Sequence, residues 1–183
     1  MIEERKPYGL RLSGSVFHYA ITDLISLTTD PVDGLLVFRN VERAETNGAE
    51  FEIERIWGTG TRVRASLTWQ QAKDADTGLR LTNSPSWLAN LNATRPVFNG
   101  FADAGVEAQY VGRRLTLAGN HAASYTVVNL TLTSRRIARN LEVSASVYNL
   151  FDREYGDPGS EEHVQDIIRQ DGRGFRLSGV YRF

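Results

Sequence analysis

Apolar and polar residues alternate along most of this chain with a period of two. Val63, Ala65, Leu67 and Trp69 alternate with Arg62, Arg64, Ser66 and Thr68, and Trp87, Ala89, Leu91 and Ala93 with Leu88, Asn90, Asn92 and Thr94. Residues 104–110 and 141–147 repeat the pattern, and the chain ends in it. Phe175, Leu177, Gly179, Tyr181 and Phe183 take one parity, Arg176, Ser178 and Arg182 the other. Successive strand residues point to opposite faces, so each segment predicts a strand with one apolar and one polar face. About eight strands are predicted, near residues 10–26, 36–57, 60–72, 86–97, 103–113, 125–135, 140–151 and 173–183. No stretch carries a helical period of useful length. The fold class is all-β, an antiparallel meander.

The connections fall into two kinds. Residues 58–60, 98–101 and 136–139 are short, and Asn99-Gly100 is a favoured hairpin pair. Residues 73–85, 114–124 and 152–172 are long and rich in Gly, Asp, Asn, Ser and Arg. Strict alternation of short and long puts tight turns at one end of the meander and long loops at the other, an asymmetry of outer-membrane barrels. A three-residue turn at 58–60 sets Ile53 opposite Ala65, Phe51 opposite Leu67, and Glu54 opposite Arg64 as a cross-strand charge pair. A one-residue slip mixes the two faces. Glu52, Glu54, Arg62 and Arg64 then share a face too charged for a dry core but suited to a wet lumen. The first strand changes phase between Val16 and Phe17.

Aromatic residues gather at the strand ends. Trp57, Phe98 and Phe101 lie at short turns, while Trp69, Trp87, Tyr125, Phe151 and Tyr155 lie near the long loops. Trp57, Trp69, Trp87, Phe151 and Tyr155 are therefore the candidate membrane-interface girdle. Arg55 and Arg95 fall on the apolar parity near the turn end, where their stems can snorkel. The longest apolar runs fall far short of the roughly 18–20 residues of a membrane helix, which leaves a transmembrane barrel open.

Composition narrows the functions. A net charge of -1 gives no basic patch for nucleic acid. Without cysteine, thiol catalysis, disulfides and thiolate metal sites are excluded. There is no nucleophile elbow, and nothing in the sequence suggests an enzyme or a bound cofactor. The opening MIEERKPYG lacks the basic-then-apolar plan of a secretory signal peptide.

The stretch Asn149-Leu-Phe-Asp-Arg-Glu-Tyr155 and the closing Gly172-Arg-Gly-Phe-Arg-Leu-Ser-Gly-Val-Tyr-Arg-Phe183 resemble the C-terminal end of TonB-dependent receptors. So do Thr46-Asn-Gly-Ala-Glu50, Asn83-Ser-Pro85 and Leu88-Ala-Asn-Leu-Asn92. Those receptors are plugged, 22-stranded outer-membrane barrels that import ferric siderophores and other scarce solutes. The resemblance implies that residues 1–183 are the C-terminal third of such a barrel, expected to be inactive alone, with plug, TonB box and export signal outside them. It implies outer-membrane lipid and lipopolysaccharide as surroundings. It also implies the barrel-assembly machinery as a partner through an assembly signal at Tyr181 and Phe183, and TonB as a partner through the plug. Two other readings stay open: a small self-closed eight-stranded outer-membrane barrel with a structural or adhesion role, and a soluble ligand-binding β-barrel.

Other candidate sites are weaker. His18, His121 and His163 lack metal-ligand spacing. Asp157, Glu161, Glu162, His163 and Asp166 offer carboxylates for Ca²⁺, though a solvated acidic loop is the plainer reading. Arg113-Arg114 and Arg135-Arg136 lie at strand ends. The first pair offers charge to an anionic lipopolysaccharide or siderophore, the plainer reading being a solvated rim.

Overall fold

The computed structural model describes residues 2–6, 9–134, 137 and 140–183. The alternating segments become strands β1 (Ile2–Lys6), β2 (Leu10–Thr29), β3 (Leu36–Ile56), β4 (Arg62–Asp74), β5 (Trp87–Val97) and β6 (Ala102–Val111). The next connection holds a short hairpin, β7 (Arg114–Leu115) with β8 (His121–Ala122), and then come β9 (Tyr125–Ser134) and β10 (Leu141–Tyr148). A second short hairpin, β11 (Gly156–Pro158) with β12 (Ile167–Arg169), precedes the last strand, β13 (Gly174–Tyr181). The main sheet has nine strands in the order β1-β2-β3-β4-β5-β6-β9-β10-β13, an antiparallel meander interrupted only by the two loop hairpins. Its outer strands, β1 and β13, do not pair with each other, so among the described residues the sheet stays open. An eight-stranded barrel closed on itself is not what this chain forms.

Within the main sheet, β1 is the strand that alternation did not predict. Its sequence, IEERK, has four charges in five residues and no apolar parity. It joins the sheet through the backbone ladder, from Ile2 opposite Gly14 to Lys6 opposite Leu10.

The predicted register of the 58–60 hairpin is the observed one, with Ile53 opposite Ala65, Phe51 opposite Leu67 and Glu54 opposite Arg64. The turn closes with the Gly60 amide donating to the Trp57 carbonyl at 2.9 Å. One lateral row then stays apolar through successive strand pairs, Val63–Ala93–Val106–Leu130–Val147–Phe175. The adjacent row, Arg64–Asn92–Glu107–Asn129, is polar. The sheet thus has one continuous apolar face and one continuous polar face.

The apparent phase change at Val16 and Phe17 is not a register slip. The β2–β3 ladder is unbroken from Leu10 opposite Arg55 to Ile21 opposite Ala44, with an irregularity only around Leu24. Phe17 and Tyr19 simply stand on the polar face, their rings 5.1 Å apart. Gly48 makes the room, since a Cβ there falls 2.2 Å from the Phe17 ring.

Among the described residues nothing of the chain packs over the apolar face. The buried aliphatic residues of the described chain are Ala44, Ala72, Ala102, Val111 and Ala122, while Phe175 and Leu177 remain 76% and 78% exposed. A soluble sandwich buries its large aliphatic side chains, each worth about 1.5–3 kcal/mol. Here they point outward and stay exposed. Trp69 and Trp87 are direct cross-strand partners at the loop end of this face. Trp57 sits at the turn end, where the Arg55 guanidinium lies 4.8 Å from its ring centre, which accounts for a cation on the apolar parity. β2 and β3, at 20 and 21 residues, exceed the roughly 9–11 residues that span a bilayer, so their hairpin rises well beyond the band. β13 runs down to the turn end, where Leu141 faces Tyr181 and the Arg182 amide donates to the Asn140 carbonyl at 3.0 Å. Phe183 projects past the last rung, fully exposed.

Candidate functional site: the loop cap and the polar wall

The most buried polar groups lie not in the sheet but among the long loops. Residues 75–86, 112–124 and 149–173 pack together over the loop end, and Arg114 is their centre, only 6% exposed. It pairs with Asp157 at 2.7 Å and donates to the Asn83 Oδ1 at 3.3 Å and the Gly156 carbonyl at 3.1 Å. Its guanidinium stands 5.5 Å from the Tyr125 ring centre, and Tyr125 stacks on Tyr155 at 4.3 Å. One guanidinium fork therefore ties three loops, a use that suits arginine's rigid, multiply donating head.

A second tie lies beside it. Asp166 accepts hydrogen bonds from Thr116 and from the Asn120 amide group, the latter at 3.0 Å. These bonds hold its carboxyl below the usual range, the Thr116 hydroxyl contributing most. Thr116 itself is wholly buried. At the exit of β10, Asn149 is buried in the left-handed region. Its side chain bonds the Arg153 backbone twice, at 2.8 and 2.9 Å, and its own amide donates to Asn129. Asp152, also left-handed, accepts from the Arg173 amide at 2.8 Å. The Asn149-Leu-Phe-Asp152 stretch is thus a staple that launches the last loop and receives its return.

On the polar wall near the turns, Glu54 pairs with Arg62 and approaches Arg11 at 4.0 Å, while Arg64 pairs with Glu52 at 2.5 Å. The predicted polar set, Glu52, Glu54, Arg62 and Arg64, is therefore one charge ladder on one face. Farther up, Ser13, Ser15, Glu50, Ser66, Thr68 and Asn90 line a polar recess of about 360 Å³.

Several expectations change. Arg113 and Arg114 do not form a shared anion-binding rim: Arg113 is exposed, but Arg114 is buried and neutralised by Asp157. The acidic segment is not a Ca²⁺ cage, because Asp157 and Asp166 turn inward to Arg114, Thr116 and Asn120. Among the described residues no group of three or more His, Asp or Glu comes together as a metal site. His18 meets Asn47 at 2.8 Å and His163 meets Ser160 at 2.8 Å, far apart in the fold. Tyr155 packs within the cap against Tyr125, whereas Phe151 is exposed. Arg135, Arg136 and most of the 136–139 turn lie outside the described residues. Sequence reasoning missed Thr116, whose only signal was its place in a polar loop, and noted Asn83 only within a family-like stretch, without its bond to Arg114.

A profile of the TonB-dependent receptor-like β-barrel matches residues 6–150. Comparison with curated protein sequences finds no match. Among solved structures, the chain is similar to the ferric yersiniabactin uptake receptor FyuA from Yersinia pestis, with a TM-score of 0.79 and 16% identity over 99% of this chain and 28% of that one. It is similar to the copper transporter OprC, with a TM-score of 0.77 and 20% identity over 99% and 31%. It also resembles the ferripyoverdine receptor of the outer membrane of Pseudomonas aeruginosa, with a TM-score of 0.69 and 19% identity over 94% and 25%. The chain spans less than a third of the length of each of these structures. At such identities the likeness is one of fold.

Proposed function

Since the chain belongs to the β-barrel family of TonB-dependent receptors, we propose that residues 1–183 supply the C-terminal strands of a plugged outer-membrane barrel that takes up a scarce solute such as a ferric siderophore. The observation that carries this reading is the two-faced open sheet, with an unsatisfied apolar face on one side and a charge ladder on the other. Such a sheet needs lipid outside, water inside and further strands at both edges. Iron and copper uptake by proteins of the same fold supports the class of solute. The family's receptors are not enzymes, and the polar wall here serves to line a path and to meet a plug. Through that plug the assembled barrel engages TonB. Lipid and lipopolysaccharide surround it, and Tyr181 and Phe183 present the terminus to the barrel-assembly machinery.

The test uses an epitope inserted after Glu162, in the long loop. Antibody binding to intact cells, with a heat-modifiable band in the outer-membrane fraction, is the expected result. Detection only after lysis, in a soluble fraction, contradicts the reading. Phe183→Asp is expected to lower the heat-modifiable fraction severalfold, and an unchanged fraction removes Phe183 from the assembly role.

A further inference from the structure

The arginines of the two faces differ in what they meet. On the wet face Arg62 pairs with Glu54 and Arg64 with Glu52. On the apolar parity, at the turn end, stand Arg55 and Arg95. Arg55 lies opposite Val63 and Val63 opposite Ala93, and Arg95 follows two residues on, opposite Ala104. Two strand spacings across and two residues along put the two backbones about 12 Å apart, within reach of one headgroup for two long side chains. Both arginines are exposed. Among the described residues neither meets a carboxylate, and Arg55 rests instead on the Trp57 ring at 4.8 Å. Trp57 itself closes the row that leads to Arg95, its amide donating to the Thr61 carbonyl at 2.9 Å. The loop end of the same face is arranged differently: there Lys73 lies opposite Glu45 and pairs with it at 3.6 Å.

Resting on the membrane-barrel reading above, we propose that Arg55, Trp57 and Arg95 form a binding site for the phosphate of an anionic phospholipid in the leaflet at the turn end. The guanidinium forks match the non-bridging phosphate oxygens in geometry and charge. The Trp57 ring holds Arg55 at headgroup level, where an indole is itself at home. A zwitterionic lipid brings its own ammonium, which competes with the arginines for its phosphate. The net charge of -1 gives the chain as a whole no attraction for anionic lipid, so the selectivity belongs to this corner of the sheet. One arginine at an anionic surface is worth about fivefold in occupancy and two about twenty-five-fold, less as salt rises.

The test follows Trp57 fluorescence in the full chain, with Trp69→Phe and Trp87→Phe leaving it the sole tryptophan, folded into phosphatidylcholine vesicles. Dibrominated phosphatidylglycerol, whose chains quench a neighbouring indole, is titrated against dibrominated phosphatidylcholine. The expected result is a preference of about twenty-five-fold for phosphatidylglycerol, shrinking with added sodium chloride. Arg55→Gln and Arg95→Gln are each expected to lower the ratio about fivefold, and together to bring the two lipids within about twofold. With Trp87 as the sole tryptophan, at the loop end, the lipids are expected to quench within about twofold of each other. Sodium phosphate at matched ionic strength is expected to act as chloride does. Equal quenching of Trp57 by both lipids, or a preference that ignores salt or survives the double variant, overturns the headgroup site and leaves the lipid-facing sheet standing. The salt series needs no arginine variant, so it decides even where one fails to fold. A preference abolished by phosphate but not by chloride overturns the site as well, by giving it to the free anion. Quenching by neither lipid in heat-modifiable protein overturns the site and the lipid-facing sheet together.

Discussion

Replacing Arg114 with methionine keeps most of the side chain's length and removes its charge and its fork. Three loops then lose their common tie. The hydrogen bonds to Asn83 and Gly156 contribute about 1 kcal/mol each. Breaking a fully buried ion pair by removing one partner costs about 3–5 kcal/mol, but Asp157 is 36% exposed, so water recovers much of that and about 1–2 kcal/mol remains. The total is about 3 kcal/mol, or roughly 150-fold in the equilibrium between closed and open cap. Native-state hydrogen exchange of the detergent-folded chain reads this directly. The Asn83 amide, bonded to the Leu115 carbonyl, and the Gly159 amide, bonded to the Asp166 carbonyl, are expected to exchange about a hundredfold faster. Amides of β5, β6 and the Arg62–Trp69 part of β4 are expected to keep their protection, because their ladders do not involve the cap. Arg114→Lys retains the charge opposite Asp157 and is expected to lose about half as much. Unchanged exchange at Asn83 and Gly159, or an equal loss throughout the sheet, refutes the view of Arg114 as the tie that closes the cap.

Three further outcomes follow from the same geometry. Leu67→Arg places a charge on the lipid face and is expected to destabilise the lipid-folded protein by about 2–4 kcal/mol in urea titrations, while Thr68→Arg, one residue on and facing water, costs less than about 1 kcal/mol. Gly48→Ala sets a methyl against the Phe17 ring and 2.7 Å from the Trp69 carbonyl, with an expected loss of about 1–3 kcal/mol in the same titration, only partly restored by Phe17→Ala. Because Thr116 and Asn120 hold Asp166 below its ordinary value of 3.8, its contribution to the cap is complete above that value and is lost as pH falls through the lowered native one. Cap protection in hydrogen exchange, corrected for intrinsic rates, is therefore expected to owe no change to Asp166 between pH 7 and pH 5 and to fall in stronger acid. Asp166→Asn is expected to remove that acid-dependent part.

The strands were legible because a membrane barrel writes its two solvents directly onto successive residues. Parity alone separates Leu67 from Thr68, and one short turn with Glu54 facing Arg64 sets a register that neighbouring strands inherit. β1 was illegible for the converse reason: its charged sequence carries no parity, and its pairing is a property of the backbone of β2. Phe17 misled because a large aromatic on the wet face looks like a slipped strand until Gly48 is seen beneath it. The cap was the least legible part. Arg114 and Asp157 are 43 positions apart, and neither residue's local sequence shows that one will neutralise the other inside folded loops. The Asn149-Leu-Phe-Asp152 stretch was recognisable as a family trait, yet its physical role needed the left-handed geometry at Asn149 and Asp152.

The most direct measurement of the central claim is a single-cysteine scan of Arg62 through Trp69, possible because the chain has no native cysteine. Each variant, folded into lipid vesicles, is labelled with a nitroxide and its collision rates with oxygen and with a water-soluble nickel chelate are recorded. Positions 63, 65, 67 and 69 are predicted to favour oxygen and positions 62, 64, 66 and 68 the nickel chelate, in strict alternation. Uniform access of the nickel chelate to all eight, or the opposite parity, contradicts a sheet with lipid on one face and a wet lumen on the other.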